Sequence, residues 1–169
     1  MNNIKSNNVA AEARSRLIEA GGRTAQELGL GRIVGQMLVY LYLTDGGCSL
    51  DQIGADLELS KASVSIAARQ LESMGLLRRS WKKGDRKNYF RTAENIGTAL
   101  QQGLMTFLFQ KIQAVGLELN HVNELLENEA GKTNGDSDTN FVYKRIKRAK
   151  LLRDKVANLL ESPFLKISL

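Results

Sequence analysis

Residues 49–92 change their hydrophobic period twice, and this stretch constrains the fold more than any other part of the chain. SLDQIGADLELS opens with Ser49 and Gln52 in the Ser-x-x-Gln spacing of a capping box, and Leu50, Ile53 and Leu57 follow as one apolar face. KASVSIAARQLESMG follows, with Ser60 as the N-cap. Val64, Ala67, Ala68, Leu71 and Met74 recur at three- and four-residue steps, and Gly75 closes the helix. LLRRSWK and NYFRT then read as two strands around the turn KGDRK, with Gly84 supplying the turn conformation. Helix, turn, helix and a two-stranded wing is the order these signals dictate.

Helices are expected on both sides. VAAEARSRLIEAGGRTAQE, residues 9–27, reads as a helix weakened at Gly21-Gly22, and residues 32–44 form an apolar helix facing inward through Ile33, Met37, Tyr40 and Leu41. A long amphipathic stretch, about Glu94 to Asn128, carries Ile96, Leu100, Leu104, Phe107, Val115, Leu119, Val122 and Leu126, with Lys111 as a break. GKTNGDSD, 131–138, reads as a loop, and a last helix over about 139–160 carries Val142, Ile146, Ala149, Leu152, Val156 and Leu160. The expected architecture is therefore mainly α: an N-terminal dimerisation helix at 1–29, a winged helix-turn-helix domain at 30–92 and a C-terminal helical dimerisation region at 93–169. Stripes of this size exceed what the small winged domain can cover, so a homodimer is expected.

Charge names the ligand class. The chain holds 24 Lys and Arg against 18 Asp and Glu, a net charge of +6. Residues 60–91 hold nine of the cations and only two acids, Glu72 and Asp85, so this one motif carries the whole positive surplus. A surplus confined to one face is the electrostatic footprint of a phosphate-facing surface, and double-stranded DNA is the expected partner.

Other classes find little support. No apolar run reaches the roughly 18 residues of a membrane span, and the first residues lack an apolar signal region. One cysteine, Cys48, allows no internal disulfide, so a cytoplasmic location is expected. His121 and Cys48 cannot build a local zinc site, and His121 is read as structural. A lone cysteine as redox sensor lacks an adjacent base to activate it. With no P-loop, no HExxH and no Ser/His/Asp set, neither enzyme chemistry nor a cofactor is expected. The alternatives are a winged helix that docks protein and one that binds RNA.

The candidate reading residues follow from the inward stripe. Opposite it lie Ala62, Ile66, Arg69 and Ser73, flanked by Ser63, Ser65 and Gln70. An α-helix fits the major groove, where each base pair shows its own pattern of donors, acceptors and thymine methyls. Ile66 suits a thymine methyl, and Arg69 suits either guanine or phosphate. Ser60, Lys61 and Ser63 suit phosphate at the helix start. In the wing, Lys82, Lys83, Arg86 and Lys87 surround Gly84, where an arginine would suit a narrow minor groove. Asp85 could pin one arginine by a charge-assisted hydrogen bond. A third basic run, Lys144 to Lys155, reads as the solvated outer face of a helix.

These segments resemble the MarR-type winged helix regulators, and their GbsR-like branch in particular. The resemblance rests on GRIVG at 31–35, SLDQIGADLELSKASVSIAARQLESMGLLRRSW at 49–81 and KGDRKNYF at 83–90, and covers about residues 30–92. It implies a dimeric transcriptional regulator, a repressor, whose terminal helices interlock and which takes a small effector between those helices and the winged domain. It places Lys61, Ser63, Ser65, Ile66 and Arg69 in a recognition helix and Arg86 at a minor-groove tip. It does not carry the effector's identity. A quaternary ammonium would need an aromatic cage, and Tyr40, Tyr42, Phe107 and Phe109 read as core.

Overall fold

The structure is a computed structural model that describes residues 2–81, 84–85, 87–130 and 137–162. It resolves into two compact units, residues 1–103 and 104–169.

In the first unit, α1 (Asn2–Glu27) is a single helix that runs straight through Gly21-Gly22. The expected weak point is a packing device. A Cβ placed on Gly35 of α2 (Arg32–Tyr42) would lie 2.6 Å from Ala25 Cβ and 2.7 Å from the Gly21 carbonyl carbon, and closer still to the Gly21 carbonyl oxygen. The two backbones touch because neither side of the seam carries a side chain there. The rest of α2 buries Val34, Met37 and Leu41, while Ile33 and Tyr40 are half-buried and Tyr42 is exposed, so Tyr42 is not core.

The capping box forms at the head of α3 (Leu50–Asp56): the Ser49 hydroxyl accepts from the Gln52 amide, and the Gln52 side chain accepts from the Ser49 amide. Glu58 takes the left-handed conformation in the turn to α4 (Lys61–Ser73), with φ 55°. The Ser60 side chain caps α4, and all five expected stripe residues, Val64, Ala67, Ala68, Leu71 and Met74, are buried. Gly75 leaves the helix at φ 72°, a conformation costly for any other residue.

The wing strands β2 (Leu77–Ser80) and β3 (Tyr89–Thr92) pair antiparallel, Leu77 opposite Thr92 and Ser80 opposite Tyr89. The sheet has a third strand where two were expected. β1 (Cys48–Ser49) pairs with the other side of β3 and gives the order β1-β3-β2. Two residues are too few to show alternation, so no periodicity announced it. Cys48 is buried there beside the Tyr40 hydroxyl. α5 (Ile96–Ala130) begins in this unit, with Gly103 pressed against the Met74 backbone.

In the second unit, the remainder of α5 and α6 (Ser137–Glu161) run antiparallel. The Arg153 guanidinium lies over Gly116, and the Tyr143 hydroxyl donates to Glu127 at 3.3 Å. Of the loop expected at 131–138, residues 131–136 lie outside the described residues, and Ser137 and Asp138 open α6. Val115, Leu117, Leu125, Phe141, Leu151, Leu152 and Leu159 are exposed in the single chain, as is His121.

Candidate nucleic-acid interface

Burial of the α4 stripe turns the opposite face outward. Ala62, Ile66, Arg69 and Ser73 are exposed, while Ser63, Ser65 and Gln70 are half-buried at its margins. Ile66 is 58% exposed. It also lines one wall of a cleft of about 610 Å³ with Leu30, Ile33, Val34 and Ala67. Those neighbours account for part of its apolar character without any ligand.

At the start of α4 the Ser60 hydroxyl accepts from the Ser63 amide at 3.2 Å, and the two hydroxyls lie 2.8 Å apart. The small side chains of Ala62, Ser63 and Ser65 leave this end of the helix unobstructed. Gln70 is engaged within the protein: its Nε2 donates to the Leu30 carbonyl at 3.1 Å, joining α4 to the loop between α1 and α2.

Lys61 and Lys87 converge on one carboxylate. Lys61 Nζ lies 3.0 Å from Asp51 Oδ1, and Lys87 Nζ lies 3.7 Å from Asp51 Oδ2. The Lys61 hydrogen bond and charge, aided by Lys87, hold the Asp51 carboxyl below its ordinary range. Three elements thus meet there: the first turn of α3, the first turn of α4 and the turn of the wing.

In the wing, Gly84 has φ 85°. Asp85 accepts from the Lys87 amide at 2.9 Å and from the Tyr89 hydroxyl at 2.6 Å, and that hydrogen bond pushes the Tyr89 hydroxyl above its ordinary value. Lys82, Lys83 and Arg86 lie outside the described residues. Of the other wing cations, Arg79 is tied to Glu72 through Nε at 2.7 Å and Nη2 at 3.0 Å and stacks on Phe90. Such a forked pair holds its guanidinium in place and leaves less of it for phosphate. Glu72, one of only two acids in the basic segment, serves to fix this strand against α4.

Sequence reasoning passed over Asp51 and Trp81. Asp51 sits just inside the capping box and was unremarkable as a first-turn acid. Trp81, at the end of β2, is 74% exposed beside the cationic turn. A large aromatic just before four cations was the available signal. Among the described residues no group of three or more His, Cys, Asp or Glu side chains could hold a metal ion, and no helix is long and apolar enough to cross a membrane.

Three comparisons agree with this geometry. Residues 37–89 match the profile of the MarR family. The HTH-type transcriptional repressor GbsR of Bacillus subtilis (strain 168) is 28% identical over 79 residues, which are 47% of this chain and 43% of that protein. This chain therefore matches under half the length of that relative. A solved transcriptional regulator superposes with a TM-score of 0.60 at 23% identity, covering 88% of this chain and 93% of the other, which speaks for the fold. With the capped helices and the wing in place, the chain has a winged helix-turn-helix fold whose residues 37–89 are similar to the MarR family.

Proposed function

We propose that this protein is a sequence-specific, double-stranded DNA-binding transcriptional repressor that acts as a homodimer in the cytoplasm. The observation that carries the reading is the outward face of α4, where Ala62, Ile66 and Arg69 stand clear of a fully buried stripe. An α4 seated in the major groove brings Ile66 and Arg69 to base edges, with Ser60, Lys61, Ser63 and Ser65 at the phosphates. The wing, with Lys82, Lys83, Arg86 and Lys87, follows the backbone into the minor groove. Gln70 stands at the margin, its amide nitrogen committed to Leu30.

The exposed apolar residues of α5 and α6 support dimerisation, because a lone chain leaves Leu117, Leu152 and Leu159 in water. A small effector would find room in a cleft of about 360 Å³ lined by Arg14, Ile18, Tyr40, Asp56 and Leu57. The role is binding, and no residue set here is assigned catalysis.

The test is duplex binding measured against salt. Each phosphate contact contributes about 0.9 to the slope of log K against log salt, so several contacts make the dependence steep. Arg86→Ala should weaken binding several-fold while the protein remains folded and dimeric. Shallow salt dependence, or structured RNA competing as well as the duplex, would overturn the reading.

A further inference from the structure

We propose that Asp51 is a positioning residue that restrains DNA affinity by sequestering the two lysines that flank the reading surface. The inference rests on the duplex-binding reading above. Asp51 lies on α3, Lys61 opens α4 and Lys87 stands in the turn of the wing, so one carboxylate spans all three parts of the motif. Its two oxygens divide between the two ammonium groups at 3.0 and 3.7 Å. Both lysines are largely exposed, and the carboxylate is about half exposed, so the cluster is open to exchange with an incoming anion.

A phosphate oxygen is the same kind of acceptor as a carboxylate oxygen. For either lysine to reach the backbone it must leave Asp51, and the carboxylate then stands unpaired beside a polyanion. Binding is weakened in two ways. The lysines arrive already neutralised, so fewer counterions are released from the duplex. The abandoned carboxylate also repels the nearest phosphates through solvent. Neither effect depends on base sequence, so Asp51 sets the level of affinity while Ile66 and Arg69 set preference. Asp51 has a second consequence: while the lysines are held, the wing turn and the start of α4 stay in one spatial relation.

The test compares the full-length protein with D51N, D51E, K61Q/K87Q and the triple variant, on a fluorescent random-sequence duplex across a salt series. D51N should bind about threefold to tenfold more tightly at low salt, with a salt slope steeper by up to about one unit. D51E, which keeps the charge, should bind as wild type does. In the K61Q/K87Q background, D51N should tighten binding far less, because no lysine is left to release and only the repulsion is removed. Thermal melting of each variant separates loss of fold from loss of binding. An unchanged affinity and slope in D51N overturns the proposal, and so does an equal gain in the lysine-free background, which would mean repulsion alone. If the wild type binds no duplex at all, the underlying reading fails instead.

Discussion

Replacing Gly35 with alanine should cost more than any exposed substitution on the same helix. In a free helix the change would stabilise by about 1 kcal/mol, since alanine is the better helix former. Here the added methyl arrives 2.6 Å from Ala25 Cβ and 2.7 Å from the Gly21 carbonyl carbon. Ordinary contact begins near 3.4 Å, so α1 must retreat by most of an ångström along the seam. The obstacle is backbone, which cannot rotate away as a side chain could. Ala25 is buried in the same seam, so the retreat also loosens what it now seals. Overpacking of this kind costs about 1–3 kcal/mol, and the lower end already includes cases with side-chain relief. We expect a net loss of about 2 kcal/mol. Gly97 provides the control: a methyl there meets only Asn95 Oδ1, at 3.8 Å, so Gly97→Ala should be neutral or stabilising. Urea unfolding of both variants and the wild type at one protein concentration would measure this. If Gly35→Ala unfolds with the wild type or with Gly97→Ala, the close α1–α2 approach is not present in solution.

Ile66→Ser should shift which duplexes are preferred, with a loss of about 1–3 kcal/mol confined to one base pair. A uniform loss across all sequences in a binding-site selection would instead assign Ile66 to the apolar cleft it lines. Charged residues at both Leu104 and Phe107 should abolish specific binding through loss of the dimer, with sedimentation showing monomer. Tyr40 predicts an alkaline limit. Its hydroxyl is pushed well above the ordinary tyrosine value, first by burial and then by its 2.5 Å hydrogen bond to Asp56. A raised folded value means stability is fully present below the unfolded value, near pH 10, and is lost as pH rises through the folded one. Tyr40→Phe should therefore flatten the fall in urea midpoint above about pH 10 while lowering stability near neutrality.

The winged helix-turn-helix was legible because its signals are local and redundant. Ser49 with Gln52, Ser60 with the Val64–Met74 stripe, and Gly75 each name one boundary, and each forms as the residues require. What escaped the sequence depends on distant pairs. Gly21 and Gly22 look like helix breakers until Gly35 is seen against the first, and Gln36 and Arg32 against the second. β1 is invisible without β3. Asp51 reads as an ordinary first-turn acid until Lys61 and Lys87 are folded onto it. Arg79 belongs to the cationic segment, but the turn at Gly75 brings it back to Glu72 on α4. In each case the residue's own neighbours in the chain suggest one role, and a partner many positions away imposes another.

Gln70 sharpens that contrast, because two physical accounts of it predict different data. By helical position it flanks the outward face and could read adenine through a bidentate amide. By contact it is a brace: Nε2 donates to the Leu30 carbonyl, and Leu30 sits in a loop whose two glycines, Gly29 and Gly31, take φ of 74° and 98°. That loop joins α1 to α2, so the hydrogen bond couples the seam at Gly21 and Gly35 to the angle at which α4 is presented. A bidentate base contact needs both amide atoms, and one of the two Nε2 hydrogens is already given to Leu30, which fixes the amide's orientation. Gln70→Ala should therefore lower stability by about 1 kcal/mol, the net worth of one such bond. It should weaken binding to all duplexes by a similar modest factor, since the whole helix is less well held. A Gln70→Ala protein that melts as the wild type does, yet loses discrimination at a single base pair, would return Gln70 to the reading surface and leave the loop to be held by its glycines alone.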